Sequence, residues 1–352
     1  MKWKACFLVS LLLSAVAPMA NANSVPITFS PESVRAAMRP LDLDSETDYP
    51  RPIQDYFSYY GLDTPSVVHW FGTYRSESCT LGTHKFRADN LAAHVFRPAN
   101  PRGTLLVIHG YLDHAGIMKN VIHLGLDSGF TVAAIDLPGH GLSSGPRSSI
   151  QDFSQYGYAI GHFLDQYGKS LPRPLILVGH STGCSAIIEY LNIYKKDLNV
   201  DRVILCAPLV HPISWAGLRI LGILLGWSPC AWPRCHAILS SDTAWQRKYY
   251  QDPLEGKTAP VRWLSAMVTW NKRLEHYPLF HTPVCVIQGK KDSAVDWRYN
   301  LPALKRRFNS VTIHLIDNGG HQLMNESEPV KSLVLGYIGA ELSAGAKAGT
   351  GK

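Results

Sequence analysis

The chain has 352 residues, of which 46% are hydrophobic and 17% charged, and its formal net charge is +7. Soluble chains carry about 25% charged residues on average, so this composition excludes an intrinsically disordered protein or a purely nucleic-acid-binding tail. The length would allow two domains of about 150 residues, but one α/β domain with an insertion is the simpler expectation.

The first 22 residues have the pattern of a secretory signal peptide. Lys2 and Lys4 precede an apolar run at 7–17, and Ala20-Asn21-Ala22 offers a cleavage site of small residues. The run is shorter than the roughly 20 residues that span a bilayer. We therefore predict cleavage after about Ala22 in a periplasmic or secreted bacterial protein, the alternative being an uncleaved anchor.

The middle of the chain alternates short β-rich runs with longer helical stretches. Residues 23–68 give no clear prediction, and 69–76 and 91–98 resemble antiparallel entry strands. The runs rich in Val, Ile and Leu are 105–108, 131–135, 175–178, 203–206, 284–287 and 311–316. Such runs suit strands buried on both faces, joined by crossover helices. We predict an α/β fold with a mostly parallel central sheet, helices on both faces and a core at 69–210 and 276–342.

Residues 211–275 break this rhythm, because the gap is too long for one crossover helix. We predict a cap inserted after the sixth strand. Six of the nine tryptophans fall in it, a density that favours an apolar or amphipathic ligand. Trp215, Leu218 and Trp227, in an almost wholly apolar stretch, are the predicted substrate contacts. This stretch is expected either to lie in a membrane interface or to pack over the site as a buried lid helix.

The charge of the cap and the composition of the C-terminus give two further expectations. The cap carries eight basic residues against four acidic ones, which favours peripheral contact with anionic membrane surfaces. Nucleic acid is not expected as a partner, and no oligomeric state is predicted. Residues 343–352 are rich in Gly, Ala and Ser and are predicted to form a disordered tail.

Six cysteines follow the predicted signal peptide. Cys184, Cys206 and Cys285 lie inside apolar runs and are predicted to be core residues. Cys230 and Cys235 flank a Pro/Trp-rich stretch, and an oxidising compartment would allow a disulfide between them. Zinc is the alternative, but no matching pair of cysteines or histidines has zinc spacing, so no metal is expected.

The sequence Gly179-His180-Ser181-Thr182-Gly183 matches G-x-S-x-G. A predicted strand ends directly before the motif and an amphipathic helix follows it. A sharp strand-to-helix turn needs glycines on both sides of the serine, and it lifts the serine oxygen above the sheet at a helix N-terminus. Ser181 is therefore the candidate nucleophile.

A serine hydroxyl needs a neighbouring base, and the base needs a group that orients it. Asp292 follows the strand at 284–287, and His321 follows the strand at 311–316 in a glycine-rich loop. Both lie at the edge where open α/β sheets bind ligands. We predict Asp292 as the acid and His321 as the base, with Asp296 and then Asp317 as alternatives for the acid.

Acyl transfer also needs N–H groups that stabilise the developing oxyanion. The residue after the nucleophile, Thr182, is one expected donor. Tyr111, in the loop after the strand at 105–108, is the other. His109, Asp113 and His114 could instead be metal ligands, but their position in a strand-end loop explains them without a metal.

Several of these motifs together resemble the α/β-hydrolases of the monoacylglycerol lipase and lysophospholipase group, which shares signatures with serine aminopeptidases. The matching segments are His109-Gly110 with Asp113-His114, Asp136 to Ser143, the serine turn, Gly289 to Asp296, and His321 to Glu326. The resemblance implies a catalytic triad of Ser181, Asp292 and His321, with Tyr111 and Thr182 as oxyanion donors. Two positions depart from the group: Asp113 stands where glutamate is usual, and Thr182 where methionine or glutamine is frequent.

The resulting hypothesis is an exported serine hydrolase that cleaves esters of lipid-like substrates, such as monoacylglycerols or lysophospholipids, through an acyl-enzyme. No cofactor is expected. The nearer alternative is an aminopeptidase or amidase using the same residues. The more distant one is a lipid-binding protein without catalysis.

Overall fold

The computed structural model describes residues 26–77, 80–81, 84–85, 89–195, 199–234 and 237–349. The helices are α1 (Pro31–Ala37), α2 (Arg51–Tyr60), α3 (Lys119–Asp127), α4 (Ser154–Tyr167), α5 (Thr182–Ile193), α6 (Trp215–Leu225), α7 (Thr243–Gln251), α8 (Val261–Leu274), α9 (Trp297–Lys305) and α10 (Val330–Gly349). The strands are β1 (Val68–Ser76), β2 (Thr80–Leu81), β3 (His84–Lys85), β4 (Asp89–Arg97), β5 (Thr104–Ile108), β6 (Thr131–Ile135), β7 (Leu175–His180), β8 (Arg202–Cys206), β9 (Ala231–Pro233), β10 (Thr258–Pro260), β11 (Val284–Gly289) and β12 (Val311–Ile316).

Eight strands form the central sheet, in the order β1-β4-β6-β5-β7-β8-β11-β12. β1 and β4 pair antiparallel at one edge, β4 is also antiparallel to β6, and the pairs from β6 to β12 are parallel. The predicted mostly parallel sheet is confirmed. Because parallel strands end at the same edge, the loops after β5, β7, β11 and β12 meet there.

The inner strands of this sheet are buried on both faces, whereas β12 at the edge is partly exposed, with Leu315 44% exposed, so the prediction of burial on both faces is wrong for the run at 311–316. In β7, Leu175 and Leu177 join one hydrophobic cluster, while Ile176 and Val178 join the other on the opposite face. Helices α4, α5 and α8 cover the first face, and α2, α3 and α10 cover the second. A strand covered on both sides has no solvent face, which explains continuous apolar runs in place of alternation.

The N-terminal segment that the sequence did not place forms α1 and α2 on the second face. Ile53, Tyr56, Phe57 and Tyr60 recur at helical spacing along α2, and all four are buried. Gly61 ends the helix in the left-handed conformation, with φ of 65°. The segment is therefore part of the packed core.

The predicted cap region lies between β8 and β11 and contains α6, β9, α7, β10 and α8. Within the described residues, β9 and β10 pair only with each other and add nothing to the central sheet. Two buried tryptophans of α8 bind core side chains: Trp263 Nε1 donates to the hydroxyl of Tyr156 at 3.0 Å, and Trp270 Nε1 to Glu189 at 2.8 Å. Helix α8 is thus fixed to the core.

The predicted disordered tail at 343–352 is wrong for residues 343–349, which continue α10 as far as Gly349. Leu342 and Ala346 are buried on the second face of the sheet. A side chain at position 345 would collide with Ile176, because its Cβ would lie 2.6 Å from the Ile176 Cδ1. The small residues that suggested disorder allow close helix–sheet packing.

None of the helices among the described residues is long and apolar enough to cross a membrane.

Candidate active site

Ser181 occupies a sharp turn between β7 and α5. Its φ is 50° and its ψ is −112°, a backbone conformation that costs energy for a residue other than glycine. A Cβ at Gly179 would lie 2.7 Å from the backbone carbon of Gly183, and one at Gly183 would lie 2.3 Å from the carbonyl oxygen of Ile108. The flanking glycines are therefore required by close backbone approach, as the motif predicts.

The structure brings Ser181, His321 and Asp292 together although they are far apart in the chain. Ser181 Oγ lies 3.0 Å from His321 Nε2, and His321 Nδ1 lies 2.9 Å from Asp292 Oδ2. A carboxylate only accepts hydrogen bonds, so the nitrogen next to Asp292, His321 Nδ1, must carry the proton. The other ring nitrogen, Nε2, then has its lone pair facing the serine. This is the arrangement in which a histidine removes the proton of a serine hydroxyl.

The Asp292 carboxylate is held by further donors. Its Oδ1 accepts from the N–H groups of Ala294 at 2.8 Å and Val295 at 3.0 Å, and its Oδ2 accepts from Gln288 Nε2 at 3.1 Å. Burial acts to raise the pKa of Asp292, but the charge and hydrogen bond of His321 and these backbone N–H groups bring it below its usual value. Asp292 is therefore ionised at neutral pH.

His321 shows the reciprocal effect. Burial acts to lower the pKa of His321, and the Asp292 carboxylate outweighs it, so the net pKa is raised. A raised pKa makes the imidazole a stronger base. The pair is arranged to accept a proton and to stabilise the imidazolium that results.

The other two candidate acids lie elsewhere. Asp296 caps α9, where its side chain accepts the N–H of Tyr299. Asp317 is exposed and forms an ion pair with Lys290 at 2.5 Å. Asp292 is thus the one of the three predicted carboxylates that reaches His321.

The two predicted oxyanion donors line the same cavity as Ser181 and His321. Thr182 is the first residue of α5, so its N–H has no acceptor within the helix. Tyr111 lies in the loop after β5, next to Leu112, whose φ of 67° is in the left-handed region. A Cβ at Gly110 would lie 2.8 Å from His180 Nδ1 and 3.3 Å from Ser181 Cβ, so this loop passes directly over the serine turn.

Three polar residues near this loop, His109, Asp113 and His114, were the alternative metal ligands. His109 Nε2 accepts the N–H of Leu137 at 2.9 Å, and burial lowers the pKa of His109 to about 3, so it is a neutral structural residue. Asp113 accepts from the hydroxyl of Tyr249 at 2.5 Å and from Gln322 at 3.1 Å. Together with the His114–Asp252 contact at 3.2 Å, these hydrogen bonds engage all three side chains in holding the loop.

A cavity of about 310 Å³ opens over Ser181. Its walls are mostly apolar and aromatic, with Leu209, Trp232, Leu239, Tyr249, Trp263 and Val295 among them. The ring of Tyr111 stacks on that of Trp263, with centroids 3.8 Å apart. Such a cavity fits an acyl chain or another apolar group next to the serine.

The three cap residues predicted to contact substrate are not among the lining residues of this cavity. Trp215 stacks on His211 with ring centroids 4.7 Å apart, Leu218 packs against the core, and Trp227 is 78% exposed. The reason is that α6 packs against α8 at Gly222, next to Leu264 and Val268, and these residues do not line the cavity. The tryptophans that line the cavity are Trp232 and Trp263, which the sequence analysis counted but did not single out.

The structure also tests the expectations for cysteines. Cys184, Cys206 and Cys285 are buried, as predicted. The proposed partner of Cys230 is residue 235, which lies outside the described residues, so the disulfide stays a prediction.

One group of side chains has metal-ligating atoms close together within the described ranges. Atoms of Cys285, His314 and Glu341 lie within 4.8 Å of one another. However, the Arg202 guanidinium already binds Glu341, and burial and the Glu341 charge raise the pKa of Cys285 to about 12. A protonated thiol and a neutralised carboxylate are poor metal ligands, so this group does not fit a metal site.

Comparison with known proteins places this site in context. Residues 99–328 match the model of a family described as serine aminopeptidase, S33. A monoacylglycerol lipase of Mycolicibacterium smegmatis is 27% identical over 248 residues, covering 67% of this chain and 86% of that protein. The monoglyceride lipase of Mus musculus is 26% identical over 280 residues, covering 74% and 89% respectively. An uncharacterized abhydrolase domain-containing protein of Dictyostelium discoideum is 28% identical over 235 residues, but the chain spans only 25% of its length.

Solved structures resemble the fold over most of their length. A monoacylglycerol lipase from Paleococcus ferrophilus superposes with a TM-score of 0.64 at 20% identity, covering 72% of this chain and 98% of that one. A soluble variant of monoglyceride lipase from Saccharomyces cerevisiae gives 0.63 at 20% identity, covering 76% and 97%. At these identities the likeness shows the fold alone, and it confirms the α/β-hydrolase architecture.

Proposed function

Because the chain belongs to the serine aminopeptidase (S33) family of hydrolases, we propose that it is a serine hydrolase that cleaves carboxylic esters of lipid-like molecules through an acyl-enzyme on Ser181. The observation that carries the proposal is the chain of contacts from Ser181 Oγ to His321 and Asp292, at 3.0 and 2.9 Å, at the floor of an apolar cavity. Monoacylglycerols and lysophospholipids are the proposed substrate class, since each joins one acyl chain to a polar alcohol.

In the proposed reaction, Ser181 attacks the ester carbonyl while His321 Nε2 takes its proton. The tetrahedral oxyanion accepts hydrogen bonds from the N–H groups of Tyr111 and Thr182. His321 then donates the proton to the departing alcohol, leaving the acyl group on Ser181. A water molecule, deprotonated by His321, attacks the acyl-enzyme and releases the acid. Asp292 stays ionised throughout and stabilises the imidazolium.

Labelling with a fluorophosphonate tests the nucleophile. We expect covalent modification at Ser181 and its loss in Ser181→Ala, together with a fall in ester turnover on the order of a millionfold. Intact and peptide mass spectrometry locate the label, and a series of nitrophenyl esters of increasing chain length measures turnover. Full activity of Ser181→Ala would overturn the proposal.

The family description keeps an amidase or aminopeptidase activity as the second candidate. Matched acyl esters and aminoacyl amides, assayed side by side, separate the two. Faster turnover of the amide would favour the peptidase. The mostly apolar walls of the cavity favour the ester of a lipid, because an aminopeptidase must bind the ammonium group of its substrate, and the carboxylate of Asp113 in the cavity wall already accepts hydrogen bonds from Tyr249 and Gln322.

We propose in addition that the cap contacts anionic membrane surfaces. Ile220, Ile223, Leu224 and Trp227 follow helical spacing and are 54 to 78% exposed. Arg219, Arg247, Arg262 and Lys272 supply exposed positive charge in the same cap. An exposed apolar helical face in a cap that also carries exposed basic residues supports a peripheral membrane contact.

Export to the periplasm or beyond completes the proposal. It is supported by the signal-peptide pattern of residues 1–22. The N-terminal sequence of the protein isolated from its own organism tests it, and a start near residue 23 is the expected result.

A further inference from the structure

The loop that carries the Tyr111 N–H is held from two sides by segments distant in sequence. On one side is the cap segment that follows α7: the N–H of Gly256 donates to the carbonyl of Leu112 at 2.9 Å. Leu112 is the residue with a left-handed φ of 67°. A strained residue keeps its conformation only when its surroundings fix it, so these supports matter for where the Tyr111 N–H points.

On the other side of the loop is α2, the N-terminal helix that lies before the residues matched by the family model. The ring of its last residue, Tyr60, packs against the backbone just beyond the loop, where a Cβ at Gly116 would lie 2.7 Å from the Tyr60 ring. The rings of Tyr60 and His114 meet edge to face, with centroids 4.8 Å apart.

A buried hydrogen-bond chain joins the two sides. The Tyr60 hydroxyl donates to Asp252 Oδ1 at 2.6 Å, and His114 Nε2 lies 3.2 Å from Asp252 Oδ2. His114 Nδ1 accepts the N–H of Gly116 at 3.2 Å, so Nε2 carries the proton and donates to the carboxylate. The side chains of His114 and Asp252 are at most 1% exposed, and such a buried charge depends on each of its donors.

We propose that Tyr60 is a positioning residue for the oxyanion site: through Asp252 and His114 it fixes the loop that presents the Tyr111 N–H. The inference rests on the proposed function and extends it to a helix outside the family match. Tyr60 touches neither substrate nor the reacting atoms. It acts by keeping Asp252 in place, and with it the neighbouring cap segment and His114.

The same helix offers a matched control. Tyr59 is also buried, and its hydroxyl is without a hydrogen-bond partner among the described residues. Tyr59→Phe and Tyr60→Phe therefore each remove one hydroxyl from the end of α2, but only the second breaks a hydrogen bond to Asp252.

The experiment measures kcat and KM on a soluble nitrophenyl ester, the inhibition constant of a trifluoromethyl ketone, and Tm, for the mature wild-type chain and the two variants. The ketone forms a tetrahedral adduct with the serine, so its affinity reports the oxyanion donors, whereas KM reports the cavity. In Tyr60→Phe we expect kcat to fall about tenfold and ketone affinity to fall by a similar factor, with KM within about twofold of wild type. Tyr59→Phe should match wild type in all three constants.

A purely structural role would lower Tm or the active fraction without weakening the ketone in the molecules that remain folded. Equal behaviour of the two variants, or a loss of kcat with unchanged ketone affinity, would overturn the inference. Asp252→Ala provides a second route, because alanine has no acceptor for the Tyr60 hydroxyl: if Tyr60 acts through Asp252, adding Tyr60→Phe to Asp252→Ala should change kcat and ketone affinity no further. A further independent loss would contradict the proposed chain.

Failure of this inference is distinguishable from failure of the proposed function. If fluorophosphonate does not label wild-type Ser181, the hydrolase proposal itself fails. If labelling and turnover depend on Ser181 but Tyr60→Phe behaves like Tyr59→Phe, only the positioning role is lost.

Discussion

Asp292 reaches His321 because β11 and its loop direct it there. Two backbone N–H groups and the amide of Gln288 orient the carboxylate, and its remaining contact is the imidazole. A hydrogen bond this buried has little competition from water, so it fixes both the orientation and the protonated nitrogen of the ring. The carboxylate therefore acts on the tautomer and on the pKa of His321 together.

Asp292→Asn separates the two effects from packing, because the amide has nearly the same shape. We expect kcat to fall by about 10⁴-fold, as a neutral amide can stabilise the wrong tautomer and not the imidazolium. The proposed mechanism requires neutral His321, and the carboxylate raises the pKa of this histidine. Removing the carboxylate should therefore lower the pKa of His321 and move the acidic limb of the kcat/KM profile to lower pH. A pH series on a soluble ester measures both changes, and a variant with wild-type turnover and profile would exclude this role for Asp292.

The cap helices differ in how they are attached. Arg273, near the end of α8, binds both oxygens of Asp152 at 2.5 and 2.7 Å, and Tyr277 donates to the buried Glu189 of α5. Helix α6, by contrast, has Gly222 as its one buried residue, and it packs against α8. The cap thus has a fixed layer over the cavity and an outer helix that presents apolar side chains to the surroundings.

Two serine substitutions in α6 test the proposed membrane contact. Ile220→Ser with Leu224→Ser should reduce partitioning onto phosphatidylglycerol vesicles by about tenfold or more, since each change removes an exposed apolar side chain. Turnover of a soluble short-chain ester should stay within about twofold, because neither residue lines the cavity. Leu333→Ser, which alters an exposed leucine of α10, is the control. Sedimentation with vesicles measures binding, and equal binding of all variants would argue against this surface.

Buried neutral histidines make the stability of the whole fold depend on pH. His69 and His94 lie on the paired strands β1 and β4, with their ring nitrogens 3.0 Å apart, and the Tyr56 hydroxyl contacts His94 at 3.0 Å. Burial lowers the pKa of His94 and His109 to about 3 and that of His140 to about 4. These rings join α2, the entry strands and the loops of the site, so their protonation would affect several layers of the fold.

The sign of the pH effect follows from these depressed values. The unfolded chain takes up a proton at His94, His109 and His140 below about pH 6.5, whereas the folded chain does not until about pH 3 to 4. The free energy of unfolding should therefore fall on acidification, by about 2 kcal/mol per histidine at pH 5. His114 and His321, whose pKa values are raised, act in the opposite sense.

Urea unfolding at pH 7.5 and pH 5.0 measures this loss of stability. His94→Gln removes one titrating group while keeping a hydrogen-bonding side chain, so its loss between the two pH values should be smaller by about 2 kcal/mol. Replacement of the exposed His276 by Gln is the control and should follow wild type. An acid loss in His94→Gln as large as in wild type would show that His94 does not contribute.

The sequence by itself determined the sheet and the order of the reactive groups along it. Apolar runs specify the strands, which are buried on both faces in the middle of the sheet, and the glycines around Ser181 specify a turn in which positions 179 and 183 have no room for a side chain. It left α2 unassigned, although the apolar spacing from Ile53 to Tyr60 and the terminating Gly61 carried a helical signal. It also took the small residues of 343–349 as disorder, because composition does not show that a sheet face is available for them to pack against.

Only the tertiary structure decided which side chains meet. Three results depend on distances between segments far apart in the chain. They are which of Asp292, Asp296 and Asp317 reaches His321, the finding that Trp232 and Trp263 line the cavity while Trp215 and Trp227 do not, and the contact of Tyr60 with Asp252. Local patterns report periodicity and backbone conformation, which arise from neighbouring residues. Long-range contacts arise from how the layers pack, and packing is a property of all the elements together.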